Sequence, residues 1–177
     1  MDPRDMPLDL AGKIAQKQKK DPEAERKAEE MKRAEPAVQL AQVRIWAVDF
    51  FRNLKDGVRQ AVERLNSSGT QKLQFQENNE YIIALLNQST GVGIDASLLS
   101  MPTESGDTMP AIKFSYQDGK GGSGELLLYV GQIPSLATSW LMADTGTVFG
   151  DGSIQSMAEA FLRYALNGSF GIAGVRP

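Results

Sequence analysis

Hydrophobic and polar positions along this chain obey three different rules in succession. Up to residue 35 apolar side chains are sparse and set no strong period. From Pro36 to Asn66 they recur at spacings of three and four: Leu40, Val43, Ala47, Phe50, Phe51, Leu54, Val58, Val62 and Leu65 form one stripe, while Arg44, Arg52, Lys55, Arg59 and Arg64 occupy other faces. That spacing predicts an amphipathic core helix, roughly 45 Å long at about 1.5 Å per residue. Such a helix overhangs the body of a small domain. Ile45, Trp46 and Val48 lie off the main stripe, so the first half of the helix carries apolar surface nearly all round, and the arm or a second chain is expected to cover it.

Ahead of that helix, residues 8–20 carry a thin apolar stripe and suit a weak first helix. Asp21-Pro22-Glu23 is a clearer start, because Asp caps free amides, Pro suits the first helical position and Glu favours the positive end of the dipole. The EAERKAEEMKRA run that follows is polar all round, with Met31 its one large apolar side chain. Glu35-Pro36 is expected to interrupt this segment, because proline lacks an amide proton and its ring crowds the preceding turn.

From Thr70 the pattern changes to strands and turns. Lys72–Gln76 alternates; in Glu80–Asn87, Tyr81, Ile82, Leu85 and Leu86 fit a helical stripe while Ile82–Leu86 fits a buried strand, and the turn pair Asn78-Asn79 favours strand; Ala111–Tyr116 and Glu125–Val130 are strands joined by the Gly-rich loop 117–124. Thr138–Ala143 and Thr147–Phe149 suggest a hairpin turning at Asp144-Thr145-Gly146. Ser153 caps a last helix whose buried stripe includes Ile154, Met157, Phe161, Leu162 and Ala165, and Gly168 ends it. Together these elements predict an α+β fold. A helical arm (1–35) precedes a single α+β domain (36–177), in which the long helix packs on an antiparallel sheet of about four to six strands, closed by a C-terminal helix on the same face.

Composition sharpens the division. Of 41 charged side chains, 18 lie in the first 35 residues, nine basic and nine acidic, with no aromatic among them. An arm that buries little apolar surface acts by touching something else. Residues 68–177 hold five basic and ten acidic side chains. That acidic balance argues against wrapping nucleic acid, which needs clustered Lys and Arg. The chain has no Cys and no His. Thiolate chemistry, Cys- or His-based metal sites and His general bases are therefore excluded, and no cofactor or metal is expected. The sequence shows neither a signal-peptide pattern nor an apolar run of membrane-spanning length, so a cytoplasmic address without membrane contact is the expectation. Sequons at Asn66, Asn87 and Asn167 then read as polar turn sequences.

Three motifs invite chemistry. Gly119-Lys120-Gly121-Gly122-Ser123-Gly124 contains G-x-G-x-x-G, but a strand follows where a dinucleotide site needs a helix, so a hairpin tip is the better reading. Asp144-Thr145-Gly146 matches the short D-[ST]-G signature of aspartic proteases, yet a turn between strands explains it equally well. Asp107, Asp118, Asp144 and Asp151 all fall in loops and would make a hard-cation or acid–base site only if they converged.

The resulting expectation is a non-enzymatic protein–protein interaction module: a subunit, adaptor or chaperone-like factor of a larger assembly. It would bind another protein or itself through the arm and the first half of the long helix, with Met31, Ile45, Trp46 and Val48 as contact residues. The alternative is a carboxylate-based enzyme or metal-binding module at the loop end of the sheet.

Overall fold

The computed structural model describes residues 22–69, 72–104, 106–132 and 138–171. The helix expected over residues 8–20 lies outside them. Two helices and six strands follow in order: α1 (Pro22–Ser67), β1 (Leu73–Asn79), β2 (Ile82–Asn87), β3 (Val92–Pro102), β4 (Thr108–Asp118), β5 (Ser123–Gln132), β6 (Thr138–Met142) and α2 (Ile154–Asn167). One expectation is corrected at once, because α1 runs unbroken through Pro36. An interior proline costs about 3 kcal/mol. The Ala-, Glu-, Lys- and Arg-rich sequence before it, and the Ala, Gln and Leu residues after it, favour helix strongly enough to carry the chain across.

The chain divides into two compact units, Met1–Ala41 and Gln42–Pro177, and α1 passes through the boundary. The described part of the first unit is helical, with an exposed Arg26–Glu30 pair at 3.6 Å one turn apart.

The second unit is built on a six-stranded antiparallel meander in the order β1-β2-β3-β4-β5-β6. β3 fills a stretch where the sequence reading assigned no element. Its partners fix the faces: Ile94 lies opposite Tyr116, Ala96 opposite Phe114 and Leu98 opposite Ile112, and the same row continues through Leu128 and Val130 of β5 to Met142 and Trp140 of β6. This face is covered. Phe50 of α1 lies 5.6 Å from Trp140, while α2 brings Phe161 to 5.9 Å from Phe114 and Tyr164 to 4.8 Å from Tyr116, ring centre to ring centre. Both helices therefore sit on one side of the sheet. Phe51, Leu54 and Val58 carry the α1 stripe into the core, each burial stabilising by on the order of 1.5–3 kcal/mol.

Polar contacts finish the edges. Asn66, near the end of α1, donates through Nδ2 to the Leu73 carbonyl at 2.8 Å and accepts the Leu73 amide on Oδ1 at 3.0 Å. The side chain satisfies edge-strand groups that would otherwise be open to another chain. Lys55 and Arg59 both reach Glu77 of β1, at 2.7 and 2.6 Å. The β1–β2 turn comes two residues later than expected, at Glu80-Tyr81, after a register shift between Glu77 and Asn79. At the far end, Phe149 donates its amide to Trp140 and Val148 bridges Leu141, so a single bridge stands in place of the expected second hairpin strand. α2 begins and ends as its sequence predicts: the Ser153 hydroxyl accepts the Ser156 amide at 3.0 Å, and Gly168 takes the left-handed conformation at φ 69°.

Candidate functional site

α1 places the four expected contact residues in different surroundings. Met31 is 74% exposed and Ile45 is 65% exposed, the two most open large apolar side chains among the described residues. Trp46 is half-buried, its ring 5.3 Å from Phe50 and 5.5 Å from Trp140. Val48 is half-buried as well, while Phe50 and Phe51 belong to the core. Helical geometry explains the split, because Ile45 and Val48 are three apart on a flank, whereas Ala47, Phe50, Phe51 and Leu54 face the sheet. One turn before Val48, Arg44 donates to the Thr108 carbonyl at 2.9 Å and to its hydroxyl at 3.0 Å, fixing this part of α1 to the start of β4.

The loop carboxylates are not brought together. Asp107 and Asp118 stand at opposite ends of β4, roughly 35 Å apart at about 3.3 Å per residue. Asp118 accepts the amides of Lys120 and Gly122 at 2.7 and 2.9 Å, and these hydrogen bonds hold its carboxyl below the usual carboxylate range. They also account for the Gly-rich motif: two of the loop amides that a phosphate cradle would use are engaged by the chain's own carboxylate. Asp151 accepts the Ser153 amide at 2.8 Å, and its bonds to Ser153 lower its pKa too. Asp144 is exposed at a turn closed by the Gly146 amide on the Met142 carbonyl at 2.7 Å, with the Thr145 and Thr147 hydroxyls 2.8 Å apart. Among the described residues no group of three or more acidic side chains is placed to share a metal ion.

A concave site lies elsewhere, on the sheet face that carries no helix. It is an open trough of about 660 Å³ crossing β1 to β5. Register builds it from two rows perpendicular to the strands. One row runs Gln76, Ala84, Asp95, Ser115, Glu125. The next runs Gln74, Leu86, Gly93, Gln117, Ser123. The hollow follows from side-chain size, since Ala84, Gly93 and Ser115 are small and lie between longer glutamines and Glu125. At Gly93 the Gln117 side chain fills the place of a side chain: an added Cβ would sit 2.9 Å from Gln117 Nε2.

Asp95 stands in the middle of the first row. It is reached by solvent, yet the surrounding trough strips away enough water to raise its pKa above the ordinary 3.8. Among the described residues it has no hydrogen bond or ion pair. Glu125, two strands away, is paired with Lys113 at 2.6 Å, and Gln74 accepts from Gln88 Nε2 at 3.2 Å. Sequence reasoning passed over Asp95. The available signal was the alternation Val92, Ile94, Ala96, Leu98, which sets Asp95 on the opposite face.

No protein family, curated protein or solved structure matches this chain. None of the described helices is long and apolar enough to cross a membrane.

Proposed function

We propose that this protein is a protein–protein interaction module, an assembly subunit or adaptor rather than an enzyme, and that α1 is its contact element. The observation that carries this reading is Ile45, open to solvent on a helix flank beside half-buried Val48, while the adjacent stripe is fully committed to the core. A scattered exposed apolar residue is ordinary in itself. Here it sits on a segment anchored to the body by Arg44 and stiffened by the Trp46–Phe50–Trp140 ring cluster, so a partner would meet a preorganised surface at little entropic cost. In the arm, Met31 is exposed as well and serves as a contact residue of that unit by itself.

The test is light scattering on the purified chain, whose monomer mass is 19.3 kDa, together with affinity capture from the native source, for the wild type and for Ile45→Lys. A mass above the monomer value, or a captured partner, that is lost in Ile45→Lys without a change in melting temperature supports the reading. A monomer at every concentration, with both forms capturing the same proteins, overturns it.

A further inference from the structure

The helix-free face of the sheet carries a second surface, independent of α1. We propose that its trough binds an extended basic peptide segment of a partner protein, with a lysine or arginine side chain received by Asp95 at the centre.

Three observations converge on this occupant. The first is charge. Among the described residues, the ionisable side chains that register sets on this face at the trough are Asp95, Glu125 and, at the rim, Lys113; Lys113 is paired with Glu125, which leaves Asp95 without a counter-ion. A carboxylate in a partly dewatered hollow gains most from a cation that brings its own hydrogen-bond donors. Residues 68–177 around it hold ten acidic and five basic side chains, a balance that steers cations toward this part of the molecule. The second is acceptor chemistry. Gln76, Ser115 and Gln117 flank Asp95 on its own and adjacent rows, and their amide and hydroxyl oxygens suit the several N–H groups of an ammonium or guanidinium. The third is shape. The trough crosses five strands, about 19 Å at about 4.8 Å per strand. A lone amine would occupy one position of this open hollow, whereas an extended peptide lies along it and buries the remainder.

The experiment titrates the isotopically labelled full chain with a blocked hexapeptide of alternating lysine and serine, following amide resonances, with calorimetry for affinity. Saturable binding with shifts concentrated at residues 93–95 and 115–117 is expected. Asp95→Asn, nearly isosteric, should weaken binding about tenfold or more while leaving the unliganded spectrum otherwise in place. Asp144→Asn, on a turn outside the trough, should bind as the wild type does. Acetylating the peptide's lysines should abolish the interaction. The proposal is overturned if the shifts map away from the trough, if Asp95→Asn retains full affinity, or if the acetylated peptide binds equally well. It is likewise overturned if lysine amide alone matches the hexapeptide, which would make this a small-amine site. Because Ile45→Lys leaves the trough untouched, failure here and failure of the α1 reading are separately visible.

Discussion

At the scale of single residues, two carboxylates of the sheet, Glu77 on β1 and Asp95 on β3, respond to pH in opposite senses. Glu77 accepts a hydrogen bond from Lys55 and another from Arg59, and its pKa lies below the ordinary 4.5. A carboxylate depressed in the folded state adds stability that is full above its unfolded value and is lost as pH falls through the folded one. Glu77→Gln should therefore lower the melting temperature at pH 7, and the gap from wild type should close on the acid side of 4.5. An equal gap at both pH values would show that the ion pairs contribute nothing. Asp95 behaves the other way, since desolvation raises its pKa and its charged form opposes folding at neutral pH. Asp95→Asn should accordingly cost no melting temperature, which lets its effect on binding be read without a folding correction.

At the scale of elements, the β4–β5 hairpin shows why a glycine-rich run need not be a ligand loop. Gly119 has φ +74°, and an added Cβ would run into the Thr90 carbonyl oxygen in the β2–β3 turn. Gly121 also has positive φ, +101°, but nothing lies within 4 Å of its added Cβ. Gly119→Ala should destabilise by about 2–3 kcal/mol, combining backbone strain with a clash against main chain, and Gly121→Ala by about 1–2 kcal/mol from strain alone. Denaturant unfolding of both variants measures the difference. Equal costs would mean that the close approach of the two turns carries no energy. The same elements show where sequence patterns mislead. Pro36 looks like a helix break because its local cost is legible, while the support of the long helix formers around it is cumulative and spread over many positions.

At the scale of the molecule, the question is whether the arm is separable. The core of the second unit draws its helix contribution from Ala47, Phe50, Phe51, Leu54, Val58 and Val62, all beyond residue 41. Deleting residues 1–35 should leave a cooperatively melting domain with a transition close to that of the full chain, and should weaken binding to any partner that uses Met31. A large fall in melting temperature for the truncated chain, measured without a partner, would show that the arm is part of the folding unit.

Much of the architecture was determined by the sequence alone. The period of 3.6 across Val43–Leu65, the Ser153 and Gly168 caps, the two apolar runs that make β4 and β5 on either side of a Gly-rich loop, and the acidic balance of the body are local properties, set by residue types that stand close together along the chain. Absence of Cys and His likewise limited the chemistry before any fold was known. Tertiary structure decided what depends on register between distant strands. β3 is hard to read because its outward row carries Gly93, Asp95 and Ser97, among them poor strand formers, and only pairing with Ile112–Tyr116 and Ile83–Leu85 makes the alternate row of Val92, Ile94, Ala96 and Leu98 a buried one. The same pairing alone aligns Ala84, Asp95 and Ser115 from three strands into one hollow, and separates Asp107 from Asp118 by the length of β4. Spacing along a chain specifies faces of single elements; which faces meet is settled by the packing of all of them together.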